Sequence, residues 1–298
     1  MLITRYHEVR GLRLAHHRWG DSPPGVVAVH GFLDHGRSFR RTAERLEAGR
    51  LVALDMRGFG ESGWVGDGGY YHFYDYYDDV VRFLRTFAPA PVGLVGHSMG
   101  GSICSAVAGL VPDLVKWVLL LEGMGPRASD LSRSAERLDL WLAALARPQL
   151  GGPSARRSAR PSMPSVAAAA ERLRAYNRRL SEEHSLELAQ SNTEPHGDGV
   201  AWRHDPLHRT PSAKPYLVEE STSVWRRVRA PVISLWGEGD AFVPDDLSER
   251  VAALAEYRTG RVPDAGHNIH HDRPDVVAAA IRHLDSGAGG LPDGVMPS

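Results

Sequence analysis

Short apolar runs recur over the first part of the chain and again after position 230, each bounded by Gly, Pro or charged residues. Val26–Val29, Leu51–Leu54, Val92–Val95 and Trp117–Leu121 are rich in Val and Leu. Runs this short and this continuous predict strands buried on both faces of a parallel sheet. Tyr76–Phe87 and Ser102–Leu110 lie between them with the spacing of helices. The same alternation returns as a strand over Val232–Trp236, a helix over Pro244–Leu254 and a strand over Tyr257–Val262. A last helix over Pro274–Leu284 carries its proline where a helix N-terminus tolerates one. Alternating strand and helix signals predict an α/β domain with a mostly parallel central sheet flanked by helices.

The middle of the chain follows another pattern. From Pro126 to Arg227 no short buried strand signal stands out, and Leu138–Ala146 and Val166–Leu180 read as amphipathic helices. Gly151-Gly152-Pro153 and the prolines between Pro161 and Pro164 punctuate them. The expected organisation is a core of residues 1–125 and 228–285 interrupted by a mainly helical lid over 126–227. The Gly- and Pro-rich tail, 286–298, is expected to be disordered.

Composition narrows the partners. Lys+Arg 35 against Asp+Glu 36 gives a net charge of −1, so nothing in the overall charge calls for nucleic acid or an anionic membrane. Between Arg127 and Arg179 there are eleven arginines and four acids. Lys116 and Lys214 are the only lysines, so arginine serves as the general cation, and solvated helix faces explain the run before an acidic substrate does. Cys104 is the single cysteine, which excludes an intrachain disulfide and suits a reducing compartment. The N-terminal residues lack the apolar stretch of a secretory signal, and no run approaches the roughly 18 residues of a membrane span. The expectation is a cytoplasmic protein acting on a small-molecule substrate.

The sharpest chemical signal is Gly96-His97-Ser98-Met99-Gly100, placed between a predicted strand and a predicted helix. A G-x-S-x-G turn of this kind holds a serine in a strained, exposed position, with small residues on either side to let neighbouring backbone pass. A serine nucleophile needs a base, and the base needs an orienting acid. His267, in Gly266-His267 after the last predicted strand, is the candidate base. Asp240, just beyond the strand Val232–Trp236, is the favoured acid, with Glu122 at the end of Trp117–Leu121 as its rival or as a substrate contact. Strand ends of this sort are where open α/β sheets build their sites. The backbone N–H groups of Met99 and Phe32 are the candidate oxyanion donors. No ligand cluster of the usual spacing calls for a metal or an organic cofactor.

His30-Gly31-Phe32, the segment from Asp55 to Ser62, Gly96 to Gly101 and Gly266-His267 together resemble the α/β-hydrolase superfamily, over roughly residues 25–123 and 230–284. Leu120-Leu121-Glu122-Gly123 and Trp202-Arg203-His204-Asp205-Pro206 are most similar to the serine-hydrolase-like proteins of that superfamily. The resemblance implies a Ser-acid-His order along the chain. Ser98 stands where the superfamily's haloalkane dehalogenases and epoxide hydrolases carry an aspartate, which sets their chemistry aside. The expected reaction is cleavage of a carboxylic ester through an acyl-enzyme on Ser98. The alternatives are a carbon–carbon bond hydrolase of a diketone-type acid, using lid arginines, and a non-catalytic binding protein on the same fold.

Overall fold

The computed structural model describes residues 1–88, 90–147, 150–239 and 242–297. The strands are β1 Leu2–Val9, β2 Leu12–Trp19, β3 Val26–Val29, β4 Leu51–Leu54, β5 Val92–His97, β6 Val115–Leu121, β7 Thr193–His196, β8 Gly199–Trp202, β9 Val232–Gly237, β10 Tyr257–Val262 and β11 Met296–Pro297. Nine of them form one sheet in the order β1-β2-β4-β3-β5-β6-β9-β10-β11. From β4 to β10 neighbouring strands are parallel. The antiparallel β1–β2 hairpin extends one edge, and β11 pairs antiparallel at the other. The chain passes from β3 to β4 on one side, then crosses back to β5 on the other, so the switch point of the winding lies between β3 and β5.

The parallel strands are apolar on both faces for the expected reason. Val27, Val29 and Leu94 pack into one buried cluster with Val80, Phe83 and Ile103 from the flanking helices. Val26, Ala28 and Val95 point the other way, to Phe39, Val277 and Ile281. Each face is thus covered by helices, Phe73–Phe87 and Met99–Leu110 on one side and Pro274–Ser286 on the other.

Three elements differ from the sequence expectation. The β1–β2 hairpin lies at a half-exposed edge and shows no continuous apolar run, so its signal is weak. The segment between β6 and β9 adds no strand to the main sheet among the described residues, as expected, but it contains the small β7–β8 hairpin beside its helices. The tail does not simply leave the fold: after Gly287 closes the last helix at φ +71°, Met296 and Pro297 pair with Arg261 and Gly260.

The 126–227 segment is tied to the core by a buried polar joint. Asp205 takes Arg156 Nε at 2.9 Å and Tyr71 Oη–H at 2.9 Å, and its backbone N–H donates to the Gly58 carbonyl. Arg156 and Asp205 are fully buried, so removing either leaves an unpaired charge in the interior. Further bonds reach the loops at the C-terminal ends of β3 and β10: Ser191 Oγ with His35 Nε2 at 2.7 Å, and Asn177 Nδ2 to Asp272 Oδ1 at 2.7 Å.

Buried histidines are an unusual part of this interior. His208 stacks on Phe59, with ring centroids 3.8 Å apart, and on Tyr71 at 3.9 Å. Burial, with neighbouring imidazoles adding to it, holds His97 and His208 well below the usual histidine range. The same causes bring His16 down to about 4 and His270 to about 3. All are neutral at pH 7, whereas in the unfolded chain they titrate near about 6.5. Below that pH the unfolded state takes up protons that the folded state refuses, so stability is lost as pH falls from about 6.5 towards 3.

Two predictions follow from this packing. Thermal melting measured from pH 7.5 to pH 4.5 is expected to show a progressive fall in Tm below about pH 6.5, each such buried histidine contributing a limiting slope of about 1.4 kcal/mol per pH unit. A flat profile would mean that these rings are already charged or exposed. Gly100→Ala would place a Cβ 2.1 Å from the Val29 carbonyl oxygen. Urea unfolding is expected to show a loss of about 1–3 kcal/mol, with Gly66→Ala, whose Cβ meets nothing within 4 Å, as the near-neutral control.

Candidate active site

Ser98 sits at the tip of the turn from β5 into the helix Met99–Leu110, with φ 49° and ψ −112°. A non-glycine residue is held there only by surroundings that fix it. Its N–H donates to the Leu121 carbonyl at 2.9 Å, which locks the turn to the end of β6. The flanking glycines are required by contact: a Cβ on Gly96 would lie 2.4 Å from the Gly100 carbonyl oxygen. Gly101 and Gly123 meet backbone to backbone in the same crowded place.

The next residue along β6 takes its place by the same logic. Glu122 follows Leu121 at φ 52°, with its N–H donating to the Leu235 carbonyl. Its side chain is fully buried, and both oxygens are used. Oε1 accepts the Gly237 N–H at 2.7 Å, while Oε2 accepts the Phe242 N–H at 3.0 Å and faces His267 Nδ1 at 2.8 Å. A carboxylate only accepts when ionised, so Nδ1 carries the imidazole proton and Nε2 is left as the basic nitrogen. Asp240, the acid favoured from the sequence, lies outside the described residues.

His267 and Ser98 belong to adjoining segments. His97, the residue before Ser98, donates from Nε2 to the carbonyl oxygen of His267 at 2.9 Å, and the two rings stand 4.9 Å apart. The ring of Phe242 lies edge-on to His267 at 5.0 Å and is 71% exposed, so it stands at an open face of the imidazole.

The loop after β3 closes the other side. A Cβ on Gly31 would lie 3.4 Å from Ser98 Cβ, which places this loop directly against the serine. The Phe32 N–H donates to no backbone carbonyl among the described residues. Met99 opens its helix, where the first N–H groups have no partner within the helix. The Phe32 side chain is 49% exposed and stands edge-on to the buried Phe59, with ring centroids 6.2 Å apart.

A second group of side chains adjoins His267 through His97, whose ring lies 4.9 Å from that of His267 and 4.5 Å from that of His270. Asp34 Oδ2 accepts from Ser38 Oγ at 2.8 Å and meets His270 Nε2 at 3.2 Å. Burial alone would raise the Asp34 carboxyl, but the surrounding imidazoles of His270, His271 and His35 hold it well below the usual range. His270 is therefore spent on Asp34 and not on Glu122. The signal for this group was present as two further histidines and an aspartate beside known motifs, but no spacing rule connects Asp34 with His270 across the chain.

No helix among the described residues is long and apolar enough to cross a membrane. Comparison with known proteins agrees with the architecture. A family profile described as alpha/beta hydrolase fold matches residues 24–274. The chain is 29% identical over 282 residues to a 3-hydroxybutyrate-oligomer hydrolase of Cupriavidus necator, covering 90% of this chain and 91% of that one. It is 24% identical over 271 residues to a serine hydrolase-like protein of Danio rerio, covering 88% and 82%. Among solved structures, a thioesterase domain from the curacin biosynthetic pathway superposes with a TM-score of 0.83 at 27% identity, covering 95% of this chain and 99% of that one. With a parallel sheet wound around a β3/β5 switch point, a strained serine at the end of β5 and a family profile spanning most of its length, the chain belongs to the alpha/beta hydrolase fold family and is a hydrolase of that kind.

Proposed function

We propose that this hydrolase cleaves a carboxylic ester or related acyl compound by way of an acyl-enzyme, with Ser98 as nucleophile, His267 as base and Glu122 as the orienting acid. The observation that carries the reading is the 2.8 Å contact of His267 Nδ1 with a Glu122 carboxylate that is itself anchored by two backbone N–H groups. In this reading the acid is Glu122, the rival that stood beside Asp240.

In this mechanism His267 Nε2 accepts the Ser98 hydroxyl proton as Oγ attacks the carbonyl carbon of the substrate. The negative charge on the carbonyl oxygen is received by the N–H groups of Met99 and Phe32, at the start of the helix, where the dipole favours an anion. The imidazolium, stabilised by Glu122, protonates the leaving alkoxide or thiolate. His267 then removes a proton from water, whose oxygen attacks the acyl carbon, and returns that proton to Ser98 Oγ as the acid departs.

The relatives named as an oligomer hydrolase and a thioesterase match nine-tenths or more of this chain and support acyl transfer to water. The 126–227 segment is proposed as a cap over the site, supported by its bonds to the loops after β3 and β10. Of the arginines that the carbon–carbon bond reading enlists, Arg156 is buried on Asp205, and Arg160 donates to the Trp202 carbonyl and pairs with Glu194. Arg156 and Arg160 are thus taken by partners within the segment, while Arg179 lies against Gly239 and Gly266 beside His267, where its replacement tests the carbon–carbon bond reading. A purely binding role has no use for a strained serine beside an anchored histidine and glutamate.

Hydrolysis of aryl esters of increasing acyl length tests the proposal. Ser98→Ala is expected to abolish turnover; activity equal to wild type would remove Ser98 from the mechanism. Glu122→Gln is expected to lower kcat by about 10³-fold or more, while Asp240→Asn leaves it near the wild-type value. The reverse pattern would return the acid role to Asp240.

A further inference from the structure

We propose that Asp34, His97 and His270, with His271 beside them, bind a divalent transition metal ion of the zinc type, and that the bound ion restrains turnover. One donor atom from each of Asp34, His97 and His270 lies within 4.8 Å of the others. His271 Nε2 adds a fourth at 3.7 Å from Asp34 Oδ2. Tetrahedral zinc, with bonds of about 2.0–2.2 Å, holds its donors roughly 3.3 Å apart. The Asp34–His270 contact already has that length, at 3.2 Å, and the others need only modest side-chain movement.

Hydrogen bonding by itself leaves this group incomplete. A carbonyl only accepts, so His97 Nε2 must carry the proton it donates to the His267 carbonyl. The neutral ring then presents a lone pair at Nδ1, and that buried atom has no partner. Gly31 leaves room beside it, since a Cβ there would stand 2.6 Å from Nδ1. His271 Nε2 is likewise buried and unpartnered at hydrogen-bond distance. A buried acceptor without a donor is costly, and a cation satisfies it.

The surroundings suit a metal in two further respects. The far nitrogen of a ligating histidine usually donates to a carbonyl or carboxylate, and His97 already does so through Nε2. Asp34 is oriented by Ser38 Oγ on one oxygen and by His35 Nδ1 on the other. Coordination through His270 Nε2 moves that ring's proton to Nδ1, so the imidazole stays neutral and no proton need be released, at the cost of a buried Nδ1–H without an acceptor. Three imidazoles and one carboxylate favour Zn²⁺, Co²⁺, Ni²⁺ or Cu²⁺ over Mg²⁺ or Ca²⁺.

The ion would lie beside both ends of the proposed chemistry. His97 precedes Ser98 and holds the backbone of His267, so drawing its Nδ1 towards Asp34 shifts both. The binding half of the proposal is independent of the roles given to Ser98 and His267, whereas the restraint on turnover rests on them.

Titration of the whole chain with Co²⁺, followed by its visible absorption, reads binding without reference to activity. One equivalent with the intense bands of a four-coordinate ion is expected. Asp34→Asn should weaken binding at least ten-fold, and His271→Ala, at the rim of the group, should weaken it less while leaving the fold intact by circular dichroism. Wild-type protein that takes up no cobalt, or binding that is unchanged in both variants, would overturn the site and point to surface histidines. If Asp34→Asn does not fold, the His271→Ala result decides alone. Ester turnover with and without Zn²⁺ then tests the second half. Inhibition that weakens in step with binding in His271→Ala supports it, and turnover unaffected at saturating metal would overturn the restraint alone.

Discussion

The crowding of backbone at the C-terminal ends of β3, β5 and β6 is the constraint on which the rest of this molecule depends. Gly96, Gly100, Gly101 and Gly123 allow four stretches of main chain to meet at distances that a single methyl group would forbid. The hydrogen bonds from Ser98 to Leu121 and from Glu122 to Leu235 then fasten each strand end to the next. Ser98 and Glu122 both adopt positive φ within this lattice, a cost that the surrounding contacts offset. Strain and positioning are therefore one fact here. Ser98 and Glu122, two of the five non-glycine residues at positive φ among the described residues, are both proposed to carry the chemistry.

Electrostatics around that point are arranged by burial. Glu122 is removed from water, yet two backbone N–H groups and His267 satisfy it, so its charge is anchored at a fixed distance from the imidazole. Asp34 is served in a different way, by a hydroxyl and several histidines. The two carboxylates recruit separate histidines, Glu122 taking His267 and Asp34 taking His270. This separation leaves His267 free of Asp34 and His270 free of Glu122.

The segment between β6 and β9 is bound to the core at points that surround the site. The Arg156–Asp205–Tyr71 joint fixes it beside the loop after β4, and Ser191 and Asn177 fix it to the loops that follow β3 and β10. Its arginines were visible in the sequence as a charge run, but their partners were not. Arg156 proves to be an interior residue because Asp205, 49 positions away, neutralises it.

The sequence by itself determined the parallel strands, the helices between them, the serine turn and the histidine after β10. All of these rest on local patterns: short apolar runs, helical spacing, and glycines at fixed offsets from Ser98. Features built from weaker local signals escaped it, namely the half-exposed β1–β2 hairpin, the β7–β8 hairpin and the pairing of Met296 and Pro297 with β10. Which carboxylate faces His267 belonged to the tertiary structure alone. Asp240 and Glu122 both follow parallel strands and both lie between Ser98 and His267 in the chain, so order along the chain does not choose between them. Only the packing of β6 between β5 and β9 turns the Glu122 side chain inward to meet Nδ1 at 2.8 Å. That distance spans 145 positions of sequence, and no local rule reaches across them.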